Sequence, residues 1–308
     1  MRPRAPRAAP MLFAAGLTLA APAAAQGPDF EKVQIKTEKV AEGIWVLAGA
    51  GGNIAVSAGA DGVFLVDDEW APMTPKVKAA VAALSDRPLR FILNTHWHPD
   101  HTGGNKDLGE AGTLIVAHDN VRLRMSTDQF IEAMGMKFAP SPARALPVVT
   151  FNDAVTLHLN GDDVEAFHVP PAHTDGDAIV HFRRAGVVHM GDLFFNGMYP
   201  FVDLSSGGSF EGYIAAADRA LALGEGTRII PGHGPVGTRA DLRAYRDMLV
   251  IVRDRVKPLV QAGKTPADVV AARPLADLDA KWGNGFMKPE QFLSIVVQSM
   301  AADARARR

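Results

Sequence analysis

The stretch Asn94-Thr95-His96-Trp97-His98-Pro99-Asp100-His101-Thr102-Gly103-Gly104 places three imidazoles and one carboxylate within six residues. It directly follows the apolar β run Phe91-Ile92-Leu93, so it forms a loop at a strand end, where a rigid scaffold can aim side chains at one point. In an extended segment His96 and His98 point the same way, because side chains alternate. Pro99 and the paired glycines Gly103 and Gly104 then turn the chain, and Asp100 and His101 swing toward a second point. One cation does not easily take all four groups from so short a segment. Two cations a few ångströms apart can, with His96 and His98 on one and Asp100 and His101 on the other.

Each cation needs further ligands, and three polar residues occupy loop positions just after later β runs. They are His173 in Pro170-Pro171-Ala172-His173-Thr174-Asp175-Gly176-Asp177, Asp192 in His189-Met190-Gly191-Asp192, and His233 in Ile230-Pro231-Gly232-His233-Gly234. Glycine or proline flanks all three, which suits tight turns on the rim of a pocket. With no cysteine in the chain, disulfides, thiolate ligands and a cysteine nucleophile are excluded, and any metal must be held by nitrogen and oxygen. Neutral imidazoles with carboxylates suit zinc best, and the same donors accept iron or manganese.

Around these loops the chain alternates strand and helix patterns. Short β-like runs at 33–37, 44–48, 54–57 and 63–66 are separated by glycine-rich turns. A helical stretch at 75–84 precedes the β run at 91–93, and a second at 105–109 precedes 114–116. Segment 125–147, rich in Met, Phe and Pro, has no firm period and reads as a loop or broken helix able to cover a pocket. Strand patterns resume at 155–159, 164–169, 178–182 and 187–190, followed by helices at 210–223, 239–260 and 289–302. Two successive halves, each strands then helices, predict an α/β chain with two packed sheets and helices on both outer faces. No Pro/Ser-rich linker divides 26–308, which reads as one domain.

The order H-x-H-x-D-H, then His after 72 residues, Asp after 19 more and His after 41 more resembles the metallo-β-lactamase-fold hydrolase superfamily. All five motifs of that family occur in order, beginning with Asp67 at the end of Val63-Phe64-Leu65-Val66. The resemblance implies a four-layer αββα sandwich with two metals. It implies that His96, His98 and His173 bind the first, that Asp100, His101 and His233 bind the second, and that Asp192 bridges them. It also implies that Asp67 accepts a hydrogen bond from a metal-bound imidazole, with Asp68 the neighbouring candidate. The remaining histidines read as structural: His118 at a helix start, and His158, His168, His181 and His189 within β runs.

The N-terminus suggests export. Arg2, Arg4 and Arg7 precede an apolar run at 11–20 and the small residues Ala23-Ala24-Ala25, the order of a secretory signal peptide cleaved after residue 25. The apolar run falls short of the ~20 residues of a membrane span. Across the whole chain 32 basic and 34 acidic residues leave a net charge of -2, and no Lys/Arg block marks a nucleic-acid site. The expectation is a periplasmic or secreted protein without nucleic-acid or membrane partners.

Two divalent ions sharing a carboxylate can hold a hydroxide between them that attacks a carbonyl, with Asp100 orienting it and carrying its proton. The expected activity is thus that of an exported dinuclear zinc hydrolase. Trp70, Trp97, Phe195 and Tyr199 lie near ligand-bearing segments and predict a pocket for a small molecule with an apolar body. Zinc β-lactamases commonly carry Cys or Ser where this chain has Asp192, and often Lys where it has Phe195. By that resemblance β-lactam hydrolysis is expected to be weak. The alternatives are a lactonase, thioesterase or phosphodiesterase of the same fold, a mononuclear iron oxygenase, or a metal-binding module without catalysis.

Overall fold

The computed structural model describes residues 28–224 and 226–306; the expected leader, 1–25, lies outside them. Along the chain come β1 (Lys36–Ala41), β2 (Ile44–Ala48), β3 (Ile54–Gly59), β4 (Gly62–Val66), β5 (Leu89–Leu93) and β6 (Leu114–His118). A small hairpin, β7 (Gln129–Ile131) with β8 (Met136–Phe138), precedes β9 (Val149–Phe151). The second half contributes β10 (Ala154–Leu159), β11 (Asp162–His168), β12 (Ala178–Phe182), β13 (Val187–His189), β14 (Arg228–Ile230) and β15 (Gly237–Thr238). The helices are α1 (Thr74–Leu84), α2 (Pro99–Thr102), α3 (Asn105–Glu110), α4 (Asp119–Met125), α5 (Phe210–Leu221), α6 (Arg239–Gln261), α7 (Pro266–Ala272), α8 (Ala276–Trp282) and α9 (Pro289–Ala306).

The first sheet runs β1-β2-β3-β4-β5-β6-β9 and the second β10-β11-β12-β13-β14-β15. Strand β4 shows why they stack. Its run Gly-Val-Phe-Leu-Val is buried throughout, as in a strand covered on both faces. Phe64 and Val66 point into the inter-sheet core, while Val63 and Leu65 point outward beneath α1 and meet Val77 and Val81. Strand β12 mirrors it: Ala178, Val180 and Phe182 face the first sheet, and Ile179 faces the helices. Phe64 and Phe182 meet across the interface with ring centroids 6.2 Å apart. Helices α5, α6 and α9 cover the outer face of the second sheet through Tyr213, Leu249 and Val296, giving four layers.

Two local expectations are corrected, and two further helices were not anticipated. The apolar residues of 33–37 do not start β1; Val33 and Ile35 pack under α1, and the strand begins at Lys36 on an exposed edge. Segment 125–147 holds the β7–β8 hairpin, turned at Gly135 with φ 64°. Helices α7 and α8 went unread because they are short, although Thr265 and Asp268 form a capping box that marks the start of α7. Among the described residues, no helix is long and apolar enough to cross a membrane.

Candidate metal centre

Every expected ligand follows the C-terminal end of a strand, His96 to His101 after β5, His173 after β11, Asp192 after β13 and His233 after β14, and Asp67, the expected partner of a bound imidazole, follows β4. Asp67 takes φ 64°, a left-handed conformation rare for residues with a side chain. Its contacts hold it there. The backbone N–H donates to Leu93 O (2.9 Å), and the carboxylate accepts from Thr95 N (2.7 Å), Thr95 Oγ1 (2.8 Å) and His101 Nδ1 (2.8 Å).

Hydrogen bonds on the far side of three of the imidazoles fix which nitrogen faces inward. His101 donates Nδ1–H to Asp67, so Nε2 is the nitrogen that faces inward. His98 donates Nε2–H to Asp203 Oδ2 at 3.0 Å, leaving Nδ1. His173 donates Nδ1–H to Phe201 O at 2.7 Å, leaving Nε2. With these tautomers His98 Nδ1 and His173 Nε2 present lone pairs to each other at 2.8 Å. That is repulsive between two neutral rings and attractive once both bind one cation.

Asp192 stands between two groups of donors. Its Oδ2 lies 3.4 Å from His173 Nε2 and 4.0 Å from His96 Nε2. Its Oδ1 lies 3.0 Å from His101 Nε2 and 3.3 Å from His233 Nε2. Asp100 Oδ2 completes the second group at 3.6 Å from His101 Nε2 and 3.3 Å from His233 Nε2. A tetrahedral ion with bonds near 2.0–2.1 Å separates its donors by about 3.4 Å, so these spacings fit. His96 Nε2, His101 Nε2 and Asp192 Oδ1 are buried without an aligned hydrogen-bond partner, despite the 3.0 Å approach of the last two. Unpartnered buried polar atoms of this kind are costly, and a shared cation satisfies them. The donor atoms of His96, His98, His173 and Asp192 lie within 4.8 Å of one another, as do those of Asp100, His101 and His233.

The charge balance of the two groups differs. Burial holds His96 well below the usual imidazole range and takes His173 down to about 4, so both stay neutral and ready to ligate. In the second group burial also opposes charge, but Asp192 and Asp100 outweigh it and raise His233 to about 10. Burial pushes Asp100 up, yet His101 and His233 bring it down to about 2. A cation binding there displaces protons from the imidazoles.

Close packing confines the donors. A Cβ on Gly52 would sit 2.1 Å from His101 Cε1, and one on Gly232 would sit 2.0 Å from Asp192 Oδ1. Asp177 holds the His173 turn by accepting from His173 N (2.7 Å) and Thr174 Oγ1 (2.6 Å), whereas Asp175 pairs with Arg124 at 2.7 Å. Burial raises Asp177 to about 7. Asp68 is also buried; its Oδ1 accepts from Gly104 N at 2.9 Å, which supports the turn rather than a ligand.

The four aromatic candidates separate. Phe195 stacks on His233 with centroids 5.3 Å apart and planes at 17°, placing it at the site. Trp97 lies against His98 (4.8 Å) and, with Met125 and Phe138, lines a cleft of about 240 Å³ beneath the β7–β8 hairpin. Tyr199 is corrected: it is fully buried, stacks on Phe292 at 4.3 Å and bonds Asp279, because its N–H is tied to Trp282 O near α8. Trp70 is corrected as well. Half-buried, it packs against Phe30 and the residues under α1. Among the other histidines, His118 caps α4 by accepting from Asn120 N, and His189 is buried in the second sheet with its ring on Asn53 O.

Asp203 was missed by the sequence reading. Its Oδ1 accepts from Ser205 N and Ser206 N, and the Asp-x-Ser-Ser pattern of that turn was the available signal.

A family model for the metallo-beta-lactamase superfamily matches residues 47–233, a span that opens in β2 and closes on His233. Hydroxyacylglutathione hydrolase of Erythrobacter litoralis (strain HTCC2594) is 28% identical over 216 residues, covering 63% of this chain and 74% of that protein. The 2,4-dinitroanisole O-demethylase subunit alpha of Nocardioides sp. (strain JS1661) is 24% identical over 212 residues, 67% of this chain and 60% of its own length. Among solved structures, a metallo-beta-lactamase from Pontibacter korlensis superposes with TM-score 0.57 at 17% identity, over 70% of this chain and 99% of that one. DIM-1 metallo-beta-lactamase superposes equally, TM-score 0.57, at 21% identity over 71% and 99%. The chain belongs to the metallo-β-lactamase superfamily, as a metallohydrolase built on a His/Asp metal-binding cluster.

Proposed function

We propose that this metallohydrolase is exported, holds two zinc ions and hydrolyses a small carbonyl substrate with an apolar body. The observation that carries the dinuclear reading is Asp192, whose two oxygens face two separate donor groups. His96, His98, His173 and Asp192 Oδ2 would hold one ion; Asp100, His101, His233 and Asp192 Oδ1 would hold the other. Two bound divalent ions supply Lewis acidity and make water nucleophilic at neutral pH. The protein's part is to orient and to move a proton. Asp203 and Asp67 aim His98 and His101, and Asp100, its side chain 17% exposed, would hold the ion through one carboxylate oxygen and leave the other to carry a proton from water to the leaving group.

Three observations favour an acyl substrate other than a β-lactam. Asp192 stands where zinc β-lactamases commonly carry Cys or Ser. Phe195, in the place where those enzymes often carry Lys, puts an aromatic face over His233 rather than a cation to meet the carboxylate of a β-lactam. Phe286 is 59% exposed and lies 6.2 Å from Phe201, itself stacked on His98, so apolar surface is offered beside the site. Thioester or lactone cleavage is therefore the main reading, with slow β-lactam hydrolysis beside it. The test is a panel of thioesters, lactones, β-lactams and phosphodiesters run on metal-analysed protein. Fastest turnover of a phosphodiester would overturn the acyl reading, and one iron per chain without hydrolysis would replace it with oxygenation.

A further inference from the structure

The turn bearing His233 is held from across the molecule by a residue that is not itself a donor. Asn53, 5% exposed, follows the glycine loop between β2 and β3. Its Nδ2 donates to Pro231 O and to Gly234 O, both at 2.9 Å, so one amide group spans the carbonyls on either side of His233. Two carbonyl partners fix the orientation of the carboxamide, since only its NH2 end can donate. The backbone joins in: Asn53 N donates to Gly232 O at 2.8 Å.

The brace also reaches Asp192. Gly191 N donates to His189 Nδ1 at 3.1 Å, so that ring keeps its proton on Nε2 and gives it to Asn53 O at 2.9 Å. Gly232 N in turn donates to Gly191 O at 2.7 Å. The His233 turn and the Asp192 turn thus share Asn53 as their common partner, and both supply the second group of donors.

We infer that Asn53 is a positioning residue for the second metal site, setting the separation of His233 from Asp192 through three hydrogen bonds to the 231–234 turn. The inference rests on the dinuclear reading and predicts an effect confined to one of the two ions. An outer partner of this kind alters metal affinity by about 10- to 100-fold when removed. The histidines of the first group, with His98 and His173 aimed by Asp203 and Phe201 O, have no hydrogen bond to Asn53, and Asp192 is reached only indirectly, through His189 and Gly191.

The experiment is a stepwise Zn2+ titration of metal-free protein against a competing chelator, repeated with Co2+ to follow the absorption bands of each equivalent. Asn53→Ala should weaken the second ion by about 10- to 100-fold, change the bands of the second Co2+ and leave the first ion within about threefold. Asn53→Asp keeps the shape but turns an acceptor toward two carbonyls, so it should lose more second-ion affinity than Asn53→Ala. A packing role alone would leave Asn53→Asp close to wild type. If Asn53→Asp does not fold, Asn53→Ala decides alone. Wild type with two ions and an unaltered second ion in Asn53→Ala, or equal loss of both ions, overturns the inference. Wild type with a single ion overturns the dinuclear reading and the inference with it.

Discussion

Asp203 Oδ2 accepts a hydrogen bond from His98 Nε2–H at 3.0 Å across 105 residues of chain, and this bond decides that Nδ1 of His98 looks into the metal centre. Asp203→Ala leaves the ring free to turn or change tautomer. The first ion should then bind about 10- to 100-fold more weakly. Chelator competition checks this, and an unchanged first-ion affinity would reduce Asp203 to a support for its own Ser205–Ser206 turn.

Asp100→Asn separates metal holding from proton transfer. The amide has the size of the carboxylate but cannot accept a proton, so turnover of an acyl substrate should fall by about 100-fold or more while the first ion remains. Metal content and steady-state rates on the same preparation decide the matter. Full turnover at full occupancy would free Asp100 from any part in the chemistry.

Purified protein should contain close to two zinc ions per chain and lose them to a chelator. Free zinc at about 100 times the dissociation constant stabilises the fold by about 2.7 kcal/mol per site. Calorimetry of the metal-free and zinc-loaded forms should therefore show a clear rise in Tm on loading. A stoichiometry of one after zinc supplementation contradicts the arrangement around Asp192.

His118 predicts a pH effect away from the metals. It is buried and stacks on His168 with centroids 3.9 Å apart, and burial first, then the neighbouring imidazole, lowers its pKa. A histidine lowered in the fold binds its proton more readily when unfolded. Its contribution is complete above about pH 6.5 and is lost as pH falls through the lower, folded value. His118→Asn keeps a side-chain cap on α4 and removes the titration. Urea unfolding between pH 5 and 7.5 should show a shallower acid loss in the variant, and identical slopes would rule the pair out as a source.

Export should remove residues 1–25, because the Arg-rich front, apolar run and Ala23-Ala24-Ala25 occur in that order. Intact-mass measurement of periplasmic material tests it, and retention of Met1 would contradict it.

Much of the centre was legible because its donors come from turns after apolar β runs, each marked by Gly or Pro. The same strong runs placed β2 to β6 and β11 to β13. Asp203 and Asn53 were not legible in this way. Each is one polar residue in a loop without period, and the partners of Asn53 lie 178 and 181 residues away. Aromatic residues misled for a different reason. Tyr199 and Trp70 lie close in sequence to Asp192 and Asp67, but a turn can send a ring to either side. The packing of α8, α9 and α1 sent both away from the donors.

The donors on either side of Asp192 are divided between the two sheets. His96, His98, Asp100 and His101 belong to the first sheet, and His173, Asp192 and His233 to the second. Neither half of the chain owns a full coordination set, so tight capture of a cation waits until the sheets have docked. The ion that becomes resident is then drawn from the pool present where folding finishes.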